Sequence, residues 1–180
     1  MTESALVIGG SGYVGAALVR ELRARGVAVT FTYARGRDRA LALAEQTGAR
    51  PVALDLTTEG AARELEEHAA GLTYLAHCAG VLGPASLHDA TPSEARRVAA
   101  VGPDGALLAA RAAAPGMAER RRGSIVFVCA LDRGQSLPLP PAFAAAQGAL
   151  GALAMALAKE LGAAGVRVNA VSLGPLAGGL

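Results

Sequence analysis

The stretch Ala5-Leu6-Val7-Ile8-Gly9-Gly10-Ser11-Gly12-Tyr13-Val14-Gly15 decides how the rest of the chain is read. Four consecutive apolar residues have the pattern of a strand buried on both faces. Glycines follow at positions 9, 12 and 15, and Ala16-Ala17-Leu18-Val19-Arg20-Glu21-Leu22 then has helical spacing. Strand, glycine turn and helix in this order are the context in which such a pattern points to a dinucleotide. Gly9 permits the tight turn, Gly12 lets the backbone approach a pyrophosphate, and Gly15 lets the helix lie close to the strand. The helix start, with Ser11, Tyr13 and Val14 around Gly12, offers free N–H groups and a positive dipole end to phosphates. The same turn also serves as a plain structural link in α/β domains, so the ligand has to be argued from the rest of the chain.

Outward from this unit, residues 27–33 form a second, β-branched strand, which ends in Ala34-Arg35-Gly36-Arg37-Asp38-Arg39. An acidic residue closing that strand would bind the ribose 2′-hydroxyl of NAD. None stands there. A guanidinium suits a 2′-phosphate instead, which favours NADP(H), with Arg35 the first candidate and Arg37 the next. Exposed turn arginines are the alternative. Further strands are expected at 50–57, 73–80, 123–130 and 166–173, with helices at 40–48, 58–70, 91–117 and 142–161. Gly102-Pro103-Asp104-Gly105 should kink or break the fourth of the five helices, because proline removes a backbone hydrogen bond. The alternation predicts a single α/β domain over residues 1–180, built on a doubly wound parallel sheet.

Composition narrows the function. The chain has 180 residues, 52% of them hydrophobic, a net charge of +2 and two cysteines without a CxxC pair. These features predict a folded domain with no metal site, no disulfide framework and no nucleic-acid partner. No unbroken apolar run of about 18 residues stands out, and the chain enters a strand almost at once, so neither a membrane span nor a signal peptide is expected. A cytoplasmic location follows as the default. Arg120-Arg121-Arg122 reads as a solvated turn.

The chain resembles the short-chain dehydrogenase/reductase family along essentially its whole length. The resemblance is carried by Gly9-Gly10-Ser11-Gly12-Tyr13-Val14-Gly15, Asp55-Leu56-Thr57, Cys78-Ala79-Gly80 in place of Asn-Ala-Gly, Gly123-Ser124-Ile125-Val126, and the segment from Val166-Arg167-Val168-Asn169 to Leu173-Gly174-Pro175. It implies a Rossmann-like sheet of about six strands in the order 3-2-1-4-5-6. It also implies a nicotinamide cofactor across the strand ends, Asp55 and Leu56 near the adenine, and Ala79 and Gly80 along the cofactor. The family's reaction uses a tyrosine as proton donor, a lysine that lowers its pKa, an orienting serine and a water-holding asparagine. Position by position, these fall on Phe143, Gln147, Ala130 and Gly102. All four functional groups are replaced. The family also continues beyond this point through a seventh strand and a substrate-covering lid, both expected to be missing here.

Other reactive side chains expected near the strand ends are His77, Cys78, His88, Asp89, Asp104, Cys129 and Asp132. Cys78 and Cys129 end neighbouring strands and suggest a thiol pair or nucleophile with His77 or His88 as base. His88 and Asp89 suggest an acid–base pair. Asp132 and Arg133 read as a loop ion pair. Three functions stay open: a degenerate reductase acting as a structural, regulatory or nucleotide-sensing partner; a non-redox dehydratase, isomerase or cyclase using His88, Asp104 or Cys129; and an NADPH-dependent ketoreductase completed by a second chain. Residues 142–161, apolar nearly all round, and an unprotected strand at 166–173 predict a homo-oligomer or a hetero-oligomer with a family relative.

Overall fold

The structure is a computed structural model, in which residues 3–130, 139–174 and 176 are described. Strands β1 (Ser4–Ile8), β2 (Ala28–Tyr33), β3 (Arg50–Ala53), β4 (Tyr74–His77), β5 (Gly123–Cys129) and β6 (Val166–Ser172) form one sheet in the order 3-2-1-4-5-6. Every pairing is parallel. The order reverses between β1 and β4, and ligands of such sheets bind at that switch point, beyond the carboxyl ends of the strands.

Side-chain alternation builds the two layers. Ala5 and Val7 of β1 join Val29 and Phe31 of β2 under helices α1 (Tyr13–Ala24) and α2 (Arg37–Thr47). Leu6 and Ile8 face the other way, toward a core shared with α3 (Ala61–His68), α5 (Gly105–Glu119) and α6 (Pro141–Leu161). The four-residue apolar run is therefore buried on both sides, as its sequence requires. The first layer does not reach the far edge. On β5, Ser124, Val126 and Val128 stay half-buried, and on β6 only Val166 and Val168 are buried.

The expected break near Pro103 is present. Helix α4 (Pro92–Ala99), capped by the Thr91 side chain, runs into a π-helical segment, Ala100–Asp104, before α5 begins. Gly102 departs from helical geometry there, with φ −85° and ψ −106°. Helix α6 needs a correction. Residues Pro141–Ala164 are long and apolar enough to cross a membrane by length and composition, with a mean hydropathy of 1.5, which a search for unbroken apolar runs passes over. In the fold this helix lies on β5 and β6. It buries one stripe, Phe143, Ala146, Gln147, Leu150 and Ala154, rather than its whole circumference.

Candidate nucleotide site

The β1–α1 turn is tied to its neighbours by backbone bonds. Gly9 N–H donates to Thr32 Oγ1 at 3.0 Å, and Gly10 N–H donates to the Thr32 carbonyl at 2.9 Å. Cys78 N–H donates to the Ile8 carbonyl at 2.9 Å, which locks β4 to β1 at the switch point. Gly9 has φ +73°, the left-handed region that disfavours any side chain. A Cβ on Gly15 would stand 2.7 Å from Gly10 Cα and closer still to the Gly9 carbonyl oxygen. A Cβ on Gly9 would stand 2.8 Å from Ala79 N and Cα. Three backbone segments thus meet where no side chain fits. Ser11, Gly12, Tyr13 and Val14 surround the first turn of α1, and Tyr13 is well exposed beside it. Ala79, followed by Gly80 on the exit from β4, lies against this turn.

The arginine cluster lies at the end of β2, the next strand over. Arg35, Arg37 and Arg39 are exposed, and none has a hydrogen-bond or ion-pair partner among the described residues. Arg37 and Arg39 lie in the first turn of α2, the positive end of its dipole, where a cation costs about 0.3–1 kcal/mol. The Arg39 guanidinium folds over Gly36, whose Cβ, if present, would stand 2.8 Å from Nη2. Asp38 stands between Arg37 and Arg39 in that first turn and offsets part of their charge. Asp55 faces this group from the end of β3. Its Oδ1 accepts from Thr57 Oγ1 at 2.7 Å and Thr57 N–H at 2.9 Å. Those bonds hold its carboxyl below the usual range against the opposing effect of burial, with a lesser contribution from the Arg35 charge. Leu56 is buried beside it. Thr32 and Arg39 are additions to the sequence reading. Thr32 could have been found from strand alternation, whereas Arg39 depends on how its side chain folds back.

On the other side of the switch point the four positions aligned with the reductase tetrad do come together. Gln147 is 5% exposed, and its Oε1 accepts from the Ala130 N–H at 2.8 Å. Phe143 is 2% exposed and packs with Val98 and Ala146, flanked by Val81, Ala130, Leu139 and Ala142. A Cβ on Gly102 would touch the Ala146 methyl at 3.5 Å, and one on Gly83 would lie between Val98 and Ala142. The result is a small apolar core around one engaged amide, with no ionisable side chain at the four positions.

The remaining candidates do not assemble. His77 is fully buried, and its Nε2 lies 3.1 Å from the Val101 carbonyl, which makes Nε2 the donor. Burial pushes its pKa down to about 4 against the opposing pull of backbone carbonyls, so it is a neutral strut between β4 and the π segment rather than a base. The thiol pair is excluded by register. His77 pairs with Phe127, so Cys129 lies one residue beyond the position opposite Cys78 and points to the other face. Cys78 packs on the α1–α2 side and Cys129 in the α3–α5–α6 core. Burial pushes the Cys78 thiol up to about 12 and raises that of Cys129 too, so neither has thiolate character. His88 and Asp89 sit on an exposed loop, where their N–H groups donate to Ser86, and Asp104 is exposed on the π segment. Asp132 and Arg133 lie outside the described residues. Among the described residues no group of His, Cys, Asp and Glu could hold a metal.

A family model described as short chain dehydrogenase matches residues 3–179. The chain belongs to the short-chain dehydrogenase/reductase family. Within that family it is 38% identical over 130 residues to the "Inactive 2-(S)-hydroxypropyl-CoM dehydrogenase 2" of Xanthobacter autotrophicus, a match covering 70% of this chain and 56% of that protein. It spans about half the length of the first curated relatives it matches, 47% and 56%. It is 30% identical over 176 residues to the "Cyclic-di-GMP-binding biofilm dispersal mediator protein" of Escherichia coli, covering 97% of this chain and 73% of that one. A solved short chain dehydrogenase/reductase family protein superposes with a TM-score of 0.89 at 33% identity, covering 96% of this chain and 74% of the other. The scaffold is that of the family's oxidoreductases.

Proposed function

We propose that this chain holds an NADP(H)-type nucleotide at the Gly9–Gly15 turn without transferring hydride, and acts in the cytoplasm as a nucleotide-sensing or regulatory partner. The observation that carries this reading is the contrast across the switch point. A backbone turn with no room for side chains and three exposed arginines stand on one side. Phe143 buried in an apolar cluster and Gln147 engaged by Ala130 stand on the other. Electrostatic catalysis needs preorganised charge or donors at the reacting atoms, and these side chains supply neither. Two relatives support a role other than reduction by their names: one is called inactive, the other a cyclic-di-GMP-binding mediator protein. A nicotinamide cofactor would supply hydride chemistry when fully seated; the residues here would bind its phosphates and adenosine. Calorimetric titration with NADPH should show saturable binding, while NADPH oxidation stays at background with a panel of ketones and aldehydes. Carbonyl-dependent oxidation by the purified chain would defeat the proposal.

A second reading, a ketoreductase or sensor completed by a partner chain, is favoured by α6 and β6. Met155 is 60% exposed on α6, and Val171 is exposed on β6. Light scattering should then give a dimer or larger assembly, homo-oligomeric or with a full-length relative. A monomer at micromolar concentration, unchanged when the relative is added, counts against it.

A further inference from the structure

We infer that the outer edge of β6 is the docking surface for a second copy of this chain, the two β6 strands pairing antiparallel across a two-fold axis at Asn169. This rests on the second reading above and specifies its assembly. The two edges of the sheet are unlike. At one edge, β3 has four residues, contains Pro51 and starts on the exposed Arg50. Short length, proline and charge are features that keep an edge strand from pairing with another chain. At the other edge, β6 has seven residues, no proline and a single charge, Arg167. Among the described residues no strand lies beyond it. The Leu173 N–H donates to the Cys129 carbonyl, toward β5. Backbone groups alternate sides along a strand, so Val168 and Ala170 turn their N–H and C=O groups outward.

A groove of about 460 Å³ runs along this edge, with Ala158, Gly162, Gly165, Val168 and Asn169 in its walls. The wall formed by the end of α6 and the turn after it is built of small residues, and a Cβ on Gly162 would meet nothing within 4 Å. That leaves room for the side chains of an added strand, the arrangement in which main-chain bonds supply the affinity. The sequence of β6 suits itself as that strand. Seven residues paired antiparallel about the central one set Val168 opposite Ala170 and Arg167 opposite Val171. Apolar residues then meet on the α6 side, where Val168 already joins the core, and the two arginines do not face each other. Opposite residues of such a pair share a face, so both α6 helices stay on one side of the joined sheet. The two-fold closes the assembly at a dimer and leaves only the guarded β3 edges free.

The test is light scattering and sedimentation of the full chain across micromolar concentrations, with three sets of variants. The unaltered chain should be a dimer. Ala170→Pro removes an outward N–H that β5 does not use, so it should keep the circular dichroism spectrum and weaken the dimer by about tenfold or more. Asn169→Lys and Asn169→Asp change an exposed side chain and do not load the core. Each alone sets like charges opposite one another and should weaken the dimer, while an equimolar mixture of the two should associate about fivefold or more tightly than either. Met155→Glu, on the exposed side of α6, should leave the dimer unchanged. A dimer that survives Ala170→Pro and is lost in Met155→Glu overturns the edge while leaving the second reading intact. A mixture of the Asn169 variants no tighter than either alone overturns the two-fold register. An unaltered chain that stays monomeric overturns the edge and the homo-oligomer together.

Discussion

Gly15→Ala and Gly148→Ala are the same chemical change in two helices and should act with opposite sign. Alanine is the better helix former by about 0.8–1.0 kcal/mol, so propensity alone favours both. At Gly148 nothing lies within 4 Å of the added methyl, and the gain should stand. At Gly15 the methyl would lie 2.7 Å from Gly10 Cα and against the Gly9 carbonyl. These are backbone atoms held by the Gly9 and Gly10 bonds to Thr32, so they cannot swing away as a side chain would. Overpacking of this kind costs about 1–3 kcal/mol and, near the upper end, exceeds the helix gain by about 1–2 kcal/mol. For a domain of this size that lowers Tm by roughly 2–8 °C, whereas Gly148→Ala should raise it by roughly 2–4 °C. Thermal unfolding followed by far-UV circular dichroism reads both. If α1 relieves the clash by moving outward, the cradle opens, and nucleotide affinity should fall even where Tm falls little. A Gly15 variant as stable as the Gly148 variant, with nucleotide affinity intact, would refute the close approach of α1 to β1.

Other consequences are as direct. Gln147→Met keeps the volume but leaves the Ala130 N–H unpaired, and should cost about 1–3 kcal/mol in urea unfolding. His77 sits below its ordinary value of 6.5, at about 4, so the unfolded chain takes up the proton first. Its contribution should be fully present above pH 6.5 and erode as pH falls toward 4, by about 3 kcal/mol in all; His77→Leu should flatten that part of the pH profile. Asp55 is depressed, so its ionised form stabilises the fold above the ordinary 3.8, and that effect is lost as pH falls through the lower folded value. Carboxyl NMR titration should show Thr57→Val moving the Asp55 midpoint upward, since the largest single cause is the Thr57 hydroxyl.

Where residues close in sequence set the structure, the chain could be read without coordinates. Ala5 to Gly15 announces strand, turn and helix because each signal lies within one turn or one strand of the next. Pro103 breaks its helix through its own missing N–H. The family pattern then extends that local grammar to the strand order. What escaped was anything set by which strand faces which. The thiol pair looked reasonable for Cys78 and Cys129 on adjacent strands, yet one residue of register sends the two to opposite faces. His77 looked like a base until the sheet buried it against Val101. The ring at position 143 and the amide at 147 were visible as losses of chemistry; that they pack into a closed cluster depends on α4, α6 and the loop after β4 meeting in space. Backbone pattern is a short-range property, while burial, pKa and pairing are long-range ones, and the latter exist only once distant segments share a core.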